Sequence, residues 1–106
     1  MNFKLIYITC QDKAEAKKIG RALVEGRLAA CVNILDNMES LYWWEGKLEE
    51  GKETVIIAKT RASLVEQVVK KVKELHSYDN PCVVALPIEA GSLDYLAWLE
   101  KETKGE

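Results

Sequence analysis

Side chains that carry chemistry are scarce in this chain, and the scarcity narrows what it can do. There is one histidine, no G-x-S-x-G nucleophile turn and no glycine loop of the kind that cradles phosphate. Enzyme readings are therefore poor. Its three cysteines are an odd number without a C-x-x-C spacing, which favours free thiols and a reducing compartment over a disulfide framework. No apolar run approaches the roughly 20 residues that cross a bilayer, and the opening MNFKLIYITC runs straight into a strand rather than forming a signal peptide. Nor is positive charge in excess. Fifteen basic against seventeen acidic residues leave a net charge of −2, with no electrostatic footprint for nucleic acid. The expectation is a cytoplasmic protein with neither a membrane nor a nucleic-acid partner.

Apolar residue is what the chain does have. Hydrophobic side chains make up 48 % of it and charged ones 30 %, the balance of a globular protein. Its 106 residues suffice for one domain, residues 1–106, that buries about two-thirds of its unfolded surface without staples.

The organising stretch is Arg27–Thr60, which reads as one long β-hairpin. Its arms run from about Leu28 to Trp44 and from Lys47 to Thr60, closing at Glu45-Gly46, where glycine can take the positive φ a tight turn demands. Asp36-Asn37 reads as a kink or bulge in the first arm. Arms of about 14 residues reach roughly 45 Å at 3.3 Å per residue, about twice the span of the last strand, so the tip must overhang its own sheet. The tip carries Tyr42, Trp43 and Trp44, and neighbours on a strand face opposite ways, so both faces of the overhang are aromatic. Each ring can bury roughly 150–250 Å², and too little chain remains to cover them. A further copy of the chain is the simplest cover.

Around the hairpin, Phe3–Cys10 reads as a strand. Asp12 and Glu15 read as a capping box, and Ala16, Ile19, Gly20 and Leu23 as a helix stopped by Gly26. Leu64, Val65, Val68, Val69, Val72 and Leu75 mark a second helix, whose Lys70, Lys71 and Lys73 suit a C-terminal macrodipole. His76–Pro81 connects it to a strand over Cys82–Ile88, and Ser92 caps a terminal helix bearing Leu93, Leu96, Ala97 and Leu99. The order predicts an α+β, ferredoxin-like βαββαβ antiparallel sheet with an extended β2–β3 hairpin and a C-terminal helix, in strand order 4-1-3-2. Val55-Ile56-Ile57-Ala58 and Cys82-Val83-Val84-Ala85-Leu86 are apolar on both faces, so the helix-free face also needs a cover. Closed rings are the usual solution.

In that topology Cys10 ends the first strand, Cys82 begins the neighbouring fourth, and His76 leaves the second helix at the same end of the sheet. Thiolate and imidazole suit copper and zinc, which makes His76, Cys10 and Cys82 a candidate metal set. The competing reading of the thiols is as small buried hydrophobes, and Cys31, at the opposite end, reads as core. A second candidate is a polar pocket between subunits, with the Lys59 ammonium near Asn33 on the adjacent strand or near a partner's hairpin, and Trp44, Glu45, His76 and Tyr78 contributing. Its bland counterpart is a Lys59–carboxylate pair beside a simply packed Tyr78. Glu49, Glu50 and Glu53 read as a solvated hairpin edge that discourages strand-to-strand aggregation. CQDKAEA lacks the arginine of a phosphate-cradling loop, and YITC and VIIAKT lack the exposed aromatics of an RNA-binding sheet.

The stretches RLAACVNI, SLYWWEGKLEEGKE, Lys59-Thr60, HSYDNPCVVALPI and DYLAWL, spread in order over nearly the whole chain, resemble the CutA family of divalent-cation tolerance proteins. The resemblance implies a small cytoplasmic homotrimer of ferredoxin-like subunits whose long hairpin wraps a neighbour, which would make Tyr42, Trp43 and Trp44 trimer contacts. It also implies a link to copper or other divalent cations, with no cofactor required, and a likeness to PII signalling trimers. With the poor enzyme readings above, the expectation is a non-enzymatic protein. Ligands in copper-linked members lie at a cysteine near the end of the first strand and at the histidine of the HxYxxP element. His76 matches the latter. The usual cysteine position falls on Ile8, two residues before Cys10 and on the same face, a doubled histidine is reduced to Leu75-His76, and Ser77 replaces a proline. Three functions stay open: metal tolerance through metal binding or sensing, a PII-like regulatory trimer binding a small anion or a partner protein at inter-subunit clefts, and a purely structural scaffold.

Overall fold

Apolar strand-forming runs and amphipathic helical stretches fold as β1 (Phe3–Cys10), α1 (Lys13–Glu25), β2 (Cys31–Trp44), β3 (Lys47–Arg61), α2 (Val65–Leu75), β4 (Val83–Ile88) and α3 (Leu93–Glu102). The computed structural model describes residues 2–105. The strands form one antiparallel sheet in the order β2-β3-β1-β4, the ferredoxin-like arrangement expected. Ile6, Ile8 and Cys10 of β1 and Ile56 and Ala58 of β3 face the helices, and pack against Ala16, Ile19 and Leu23 of α1 and Leu64, Val68 and Val72 around α2. At Gly20 α1 approaches β2 closely: a Cβ there would stand 3.0 Å from a Val32 methyl.

The hairpin closes at Glu45 and Gly46, both at positive φ (50° and 80°), the pattern of a type I′ turn. Between Leu35 and Met38 the β2–β3 register shifts. Asn37 takes φ 61° there, while Asp36 Oδ1 accepts from the Asn37 amide and from the Thr54 hydroxyl, each at 2.8 Å. This is the bulge expected at Asp36-Asn37. The β1 ladder stops at Thr54, so Met38–Trp44 and Lys47–Glu53 pair only with each other and overhang the sheet. The resulting long axis is 44 Å. Trp43 is 73 % exposed and Leu41 65 %, while Tyr42, Trp44 and Leu48 are also open. On the helix-free face Leu35, Val84 and Leu86 are exposed as well. Within one chain, both surfaces expected to need a cover are bare.

Several boundaries differ from expectation for local reasons. β2 begins at Cys31 rather than Leu28, because the Leu28 and Ala29 amides are held by the Leu23 carbonyl of α1. Gly26 does not supply the left-handed stop of α1. It sits at φ −80°, and Arg27 takes φ 60°, with Arg27 and Leu28 amides returning to the Val24 and Leu23 carbonyls as a Schellman motif. Arg27 holds that position with an ion pair to Glu102 at 2.7 Å. The capping box is shifted: Asp12 accepts from the Glu15 amide, but Glu15 reaches back to Gln11 rather than Asp12. β4 begins at Val83, leaving Cys82 outside the ladder. Of the α3 apolar residues, Leu99 is buried while Leu93 is 82 % exposed. Arg61 fastens α3 to β3 by donating to Thr103 and to the Glu100 carbonyl.

Candidate metal centre

Cys10 is the last residue of β1 and faces the helix side with Ile6 and Ile8. Asp12 then starts α1, which places Glu15 one turn above that thiol. His76 is the C-cap of α2, and its side chain is fully buried. Three element ends therefore meet, and a donor atom from each of Cys10, Glu15 and His76 lies within 4.8 Å of the others. Two of these residues are the expected ligands. Glu15 is not among them, although its capping position one turn after Cys10 was visible in the sequence.

Every nitrogen and oxygen donor atom in the cluster already has a partner. The imidazole donates from Nε2 to the Thr9 carbonyl at 2.7 Å, while Nδ1 accepts from the Tyr78 amide at 3.1 Å and stands 3.9 Å from Glu15 Oε1. Neutral imidazole with its proton on Nε2 satisfies both bonds. Glu15 accepts from the Gln11 amide at 2.9 Å on one oxygen and from the Ser77 amide at 2.8 Å on the other. Burial pushes the Glu15 carboxyl up, but these hydrogen bonds, with one from the Ser77 side chain, outweigh it and hold the group below the ordinary 4.5. Burial, reinforced by Glu15, Glu53 and Asp12, pushes the Cys10 thiol up to about 12. Among the described residues no buried side-chain nitrogen or oxygen lacks a partner.

The donor set fits a borderline divalent ion in kind: one sulfur, one imidazole nitrogen and one carboxylate oxygen. It would have to lose the Cys10 proton and give up a hydrogen bond at His76, while each Glu15 oxygen keeps a free lone pair. Metal affinity would therefore be pH-dependent.

Cys82 does not join the cluster. The β1–β4 ladder ends at Ile8–Val83, so Cys82 falls beside Thr9 on the opposite sheet face from Cys10, because strand neighbours alternate. Burial and Glu53 raise its thiol, with a hydrogen bond to Thr9 opposing. Cys82 lines a cleft of about 790 Å³ beneath the overhang, together with Tyr7, Thr9, Trp43, Trp44 and Tyr78. Glu53 also lines it and, contrary to the solvated-edge reading, accepts the Tyr78 hydroxyl at 2.8 Å.

The residues expected in an inter-subunit pocket separate into two groups within one chain. Trp44 and Tyr78 line the cleft, and Glu45 forms the hairpin turn. Lys59 lies at the far end of the sheet, where its ammonium donates to Asn33 Oδ1 at 3.0 Å and stands 3.9 Å from Cys31 Sγ and 5.7 Å from the Tyr95 ring centroid. Cys31 is thus half-exposed beside a cation rather than part of the core.

The same arrangement of elements recurs in known proteins. The profile of the family "CutA1 divalent ion tolerance protein" matches residues 4–102. "Protein CutA 1, chloroplastic" of Oryza sativa subsp. japonica is 44 % identical over 94 % of this chain and 56 % of its own length. "Divalent-cation tolerance protein CutA" of Archaeoglobus fulgidus is 45 % identical over 91 % of this chain and 93 % of its own. The crystal structure of CutA1 from Oryza sativa superposes with a TM-score of 0.97 at 42 % identity, covering all of this chain and 97 % of that one. The chain spans just over half the length of the rice, Arabidopsis and human relatives it matches.

Proposed function

The chain belongs to the CutA1 divalent ion tolerance family, and from that premise we propose that it is a non-enzymatic, cytoplasmic homotrimer that binds or senses divalent metal, copper among the candidates. The observation that carries the metal reading is the convergence of Cys10, Glu15 and His76 donor atoms within 4.8 Å, in a family named for divalent-ion tolerance. Cys10 and His76 are the principal ligands, Glu15 is the third, and the bound ion replaces the Cys10 proton. Cys82 stands outside the set. A donor set already engaged by backbone partners suits sensing better than storage, because metal must compete with an existing hydrogen bond at His76.

The bare rings of the overhang and the apolar helix-free face support assembly, and the family resemblance supports a closed ring of three. In that ring Tyr42, Trp43 and Trp44 meet a neighbour. Asn33 and Lys59 of one copy approach the hairpin tip of another. Three free cysteines support a reducing compartment.

Calorimetric titration of the reduced protein with Zn(II) and Cu(I), repeated on Cys10→Ser and His76→Ala, tests the metal reading. Binding should weaken by at least about tenfold in each variant, the range known for lost metal-shell groups. Unchanged binding in both variants would remove the proposed site.

A further inference from the structure

We infer that the metal cluster is coupled to the aromatic hairpin through the connector between α2 and β4, with Tyr78 and Glu53 as the positioning residues. This coupling rests on the metal reading above and names how an occupied site would be felt elsewhere in the molecule.

The connector is held by the same atoms that would serve as ligands. Glu15 accepts from the Ser77 amide at 2.8 Å, and His76 Nδ1 accepts from the Tyr78 amide at 3.1 Å. The Tyr78 ring also packs on the imidazole, with centroids 4.6 Å apart. The other imidazole nitrogen is committed to the Thr9 carbonyl at 2.7 Å and the other Glu15 oxygen to the Gln11 amide at 2.9 Å. A cation therefore cannot take a nitrogen of His76 without displacing a backbone partner, whereas each Glu15 oxygen keeps a second lone pair beside the one its amide uses. The nitrogen that faces Glu15 is Nδ1, 3.9 Å from Oε1, and its partner is the Tyr78 amide, so occupancy there frees the connector at Tyr78.

Beyond the connector, the path continues into the hairpin. Tyr78 donates its hydroxyl to Glu53 Oε2 at 2.8 Å. Glu53 pairs with Met38, the first β2–β3 pair past the bulge, at the root of the overhang. Among the described residues two side-chain hydrogen bonds tie the overhang to the rest of the chain: this one, and Tyr7 to Met38 Sδ at 3.4 Å. A neutral hydroxyl held by a carboxylate is the stronger of the two, since sulfur is a weak acceptor. The overhang has no β1 partner beyond Thr54 to replace it. Site occupancy is thereby linked to the order of the aromatic surface that the proposed neighbour covers.

Linkage is reciprocal, so loosening the hairpin contact must strengthen metal binding. The test uses the full chain with Zn(II) as the probe. Wild type, Tyr78→Phe and Glu53→Gln are titrated calorimetrically, and amide hydrogen exchange over residues 38–53 is followed with and without Zn(II). Tyr78→Phe keeps the ring on His76 but loses the hydroxyl. It should bind Zn(II) about tenfold more tightly, the size expected from one charge-assisted hydrogen bond. Glu53→Gln retains an acceptor for the phenol and should stay within about threefold of wild type. In wild type Zn(II) should speed exchange at the hairpin root, and in Tyr78→Phe that response should vanish.

If Cys10→Ser weakens Zn(II) binding but Tyr78→Phe binds as wild type and hairpin exchange ignores Zn(II), the coupling is wrong while the metal site stands. Should wild type bind no Zn(II), or bind it independently of Cys10 and His76, both fall together. A Tyr78→Phe variant that fails to fold leaves the wild-type exchange measurement to decide.

Discussion

At the scale of single residues, Glu15 does the most varied work. It caps the turn into α1, secures the connector through Ser77, and completes the donor triangle with Cys10 and His76. Its carboxyl is held below the ordinary 4.5 in the folded chain, so the folded state favours the ionised form. The stability this supplies is fully present above pH 4.5 and is lost as pH falls through the lower folded value. Glu15→Gln should therefore be less stable than wild type at pH 7 by about 1–2 kcal/mol, a figure discounted for the solvent on one edge of the carboxylate. That gap should close as pH drops below the ordinary carboxylate range. Denaturant unfolding at pH 7, 5 and 3 checks both points, and a gap independent of pH would refute them. The role of Glu15 was legible as a cap but not as a candidate ligand, because spacing to Asp12 is local whereas proximity to His76 joins residues 61 positions apart. Cys82 fails for the converse reason. Its end of the sheet follows from topology, but its face follows from where the β4 ladder begins, and composition does not specify that.

At the scale of elements, the hairpin was the most legible part of the chain. β-branched and aromatic runs, a glycine at the turn and a polar break at Asp36-Asn37 all point to one structure, and local signals that agree with the fold are the ones that can be read. α1 does stop at Gly26 as read, but the left-handed position falls on Arg27 beside it. An arginine there accepts backbone strain while gaining the ion pair with Glu102, a contact 75 residues away. The hairpin turn gives a direct test of element-level stability. Gly46 sits at φ 80°, and a methyl added to its Cα would find nothing within 4 Å, so a side chain there meets conformational strain alone. Gly46→Ala should cost about 1 kcal/mol per chain, and Glu45→Asn, which suits a type I′ turn, should recover part of it in the double variant. Urea midpoints of the single and double variants measure this. Equal stability of Gly46→Ala and wild type would mean that the turn is not held in the left-handed region.

At the scale of the whole molecule, one chain leaves bare a surface that assembly would cover. Trp43 and Leu41 stand open at the overhang, and Leu35, Val84 and Leu86 stand open on the sheet face away from α1 and α2. The need for cover could be read from strand length and from runs apolar on both faces, because these are properties of the β repeat itself. The count of three could not, since ring closure depends on the angle between copies and no residue pattern states it. Sedimentation velocity of the full chain at dilute, near-physiological conditions is the most direct measurement. A single species of three times 12.0 kDa is the predicted result, and Trp43→Ser should shift it toward smaller species. A folded, soluble 12.0 kDa monomer that persists as concentration rises would contradict the account, because its aromatic overhang would then be stable in water without a partner.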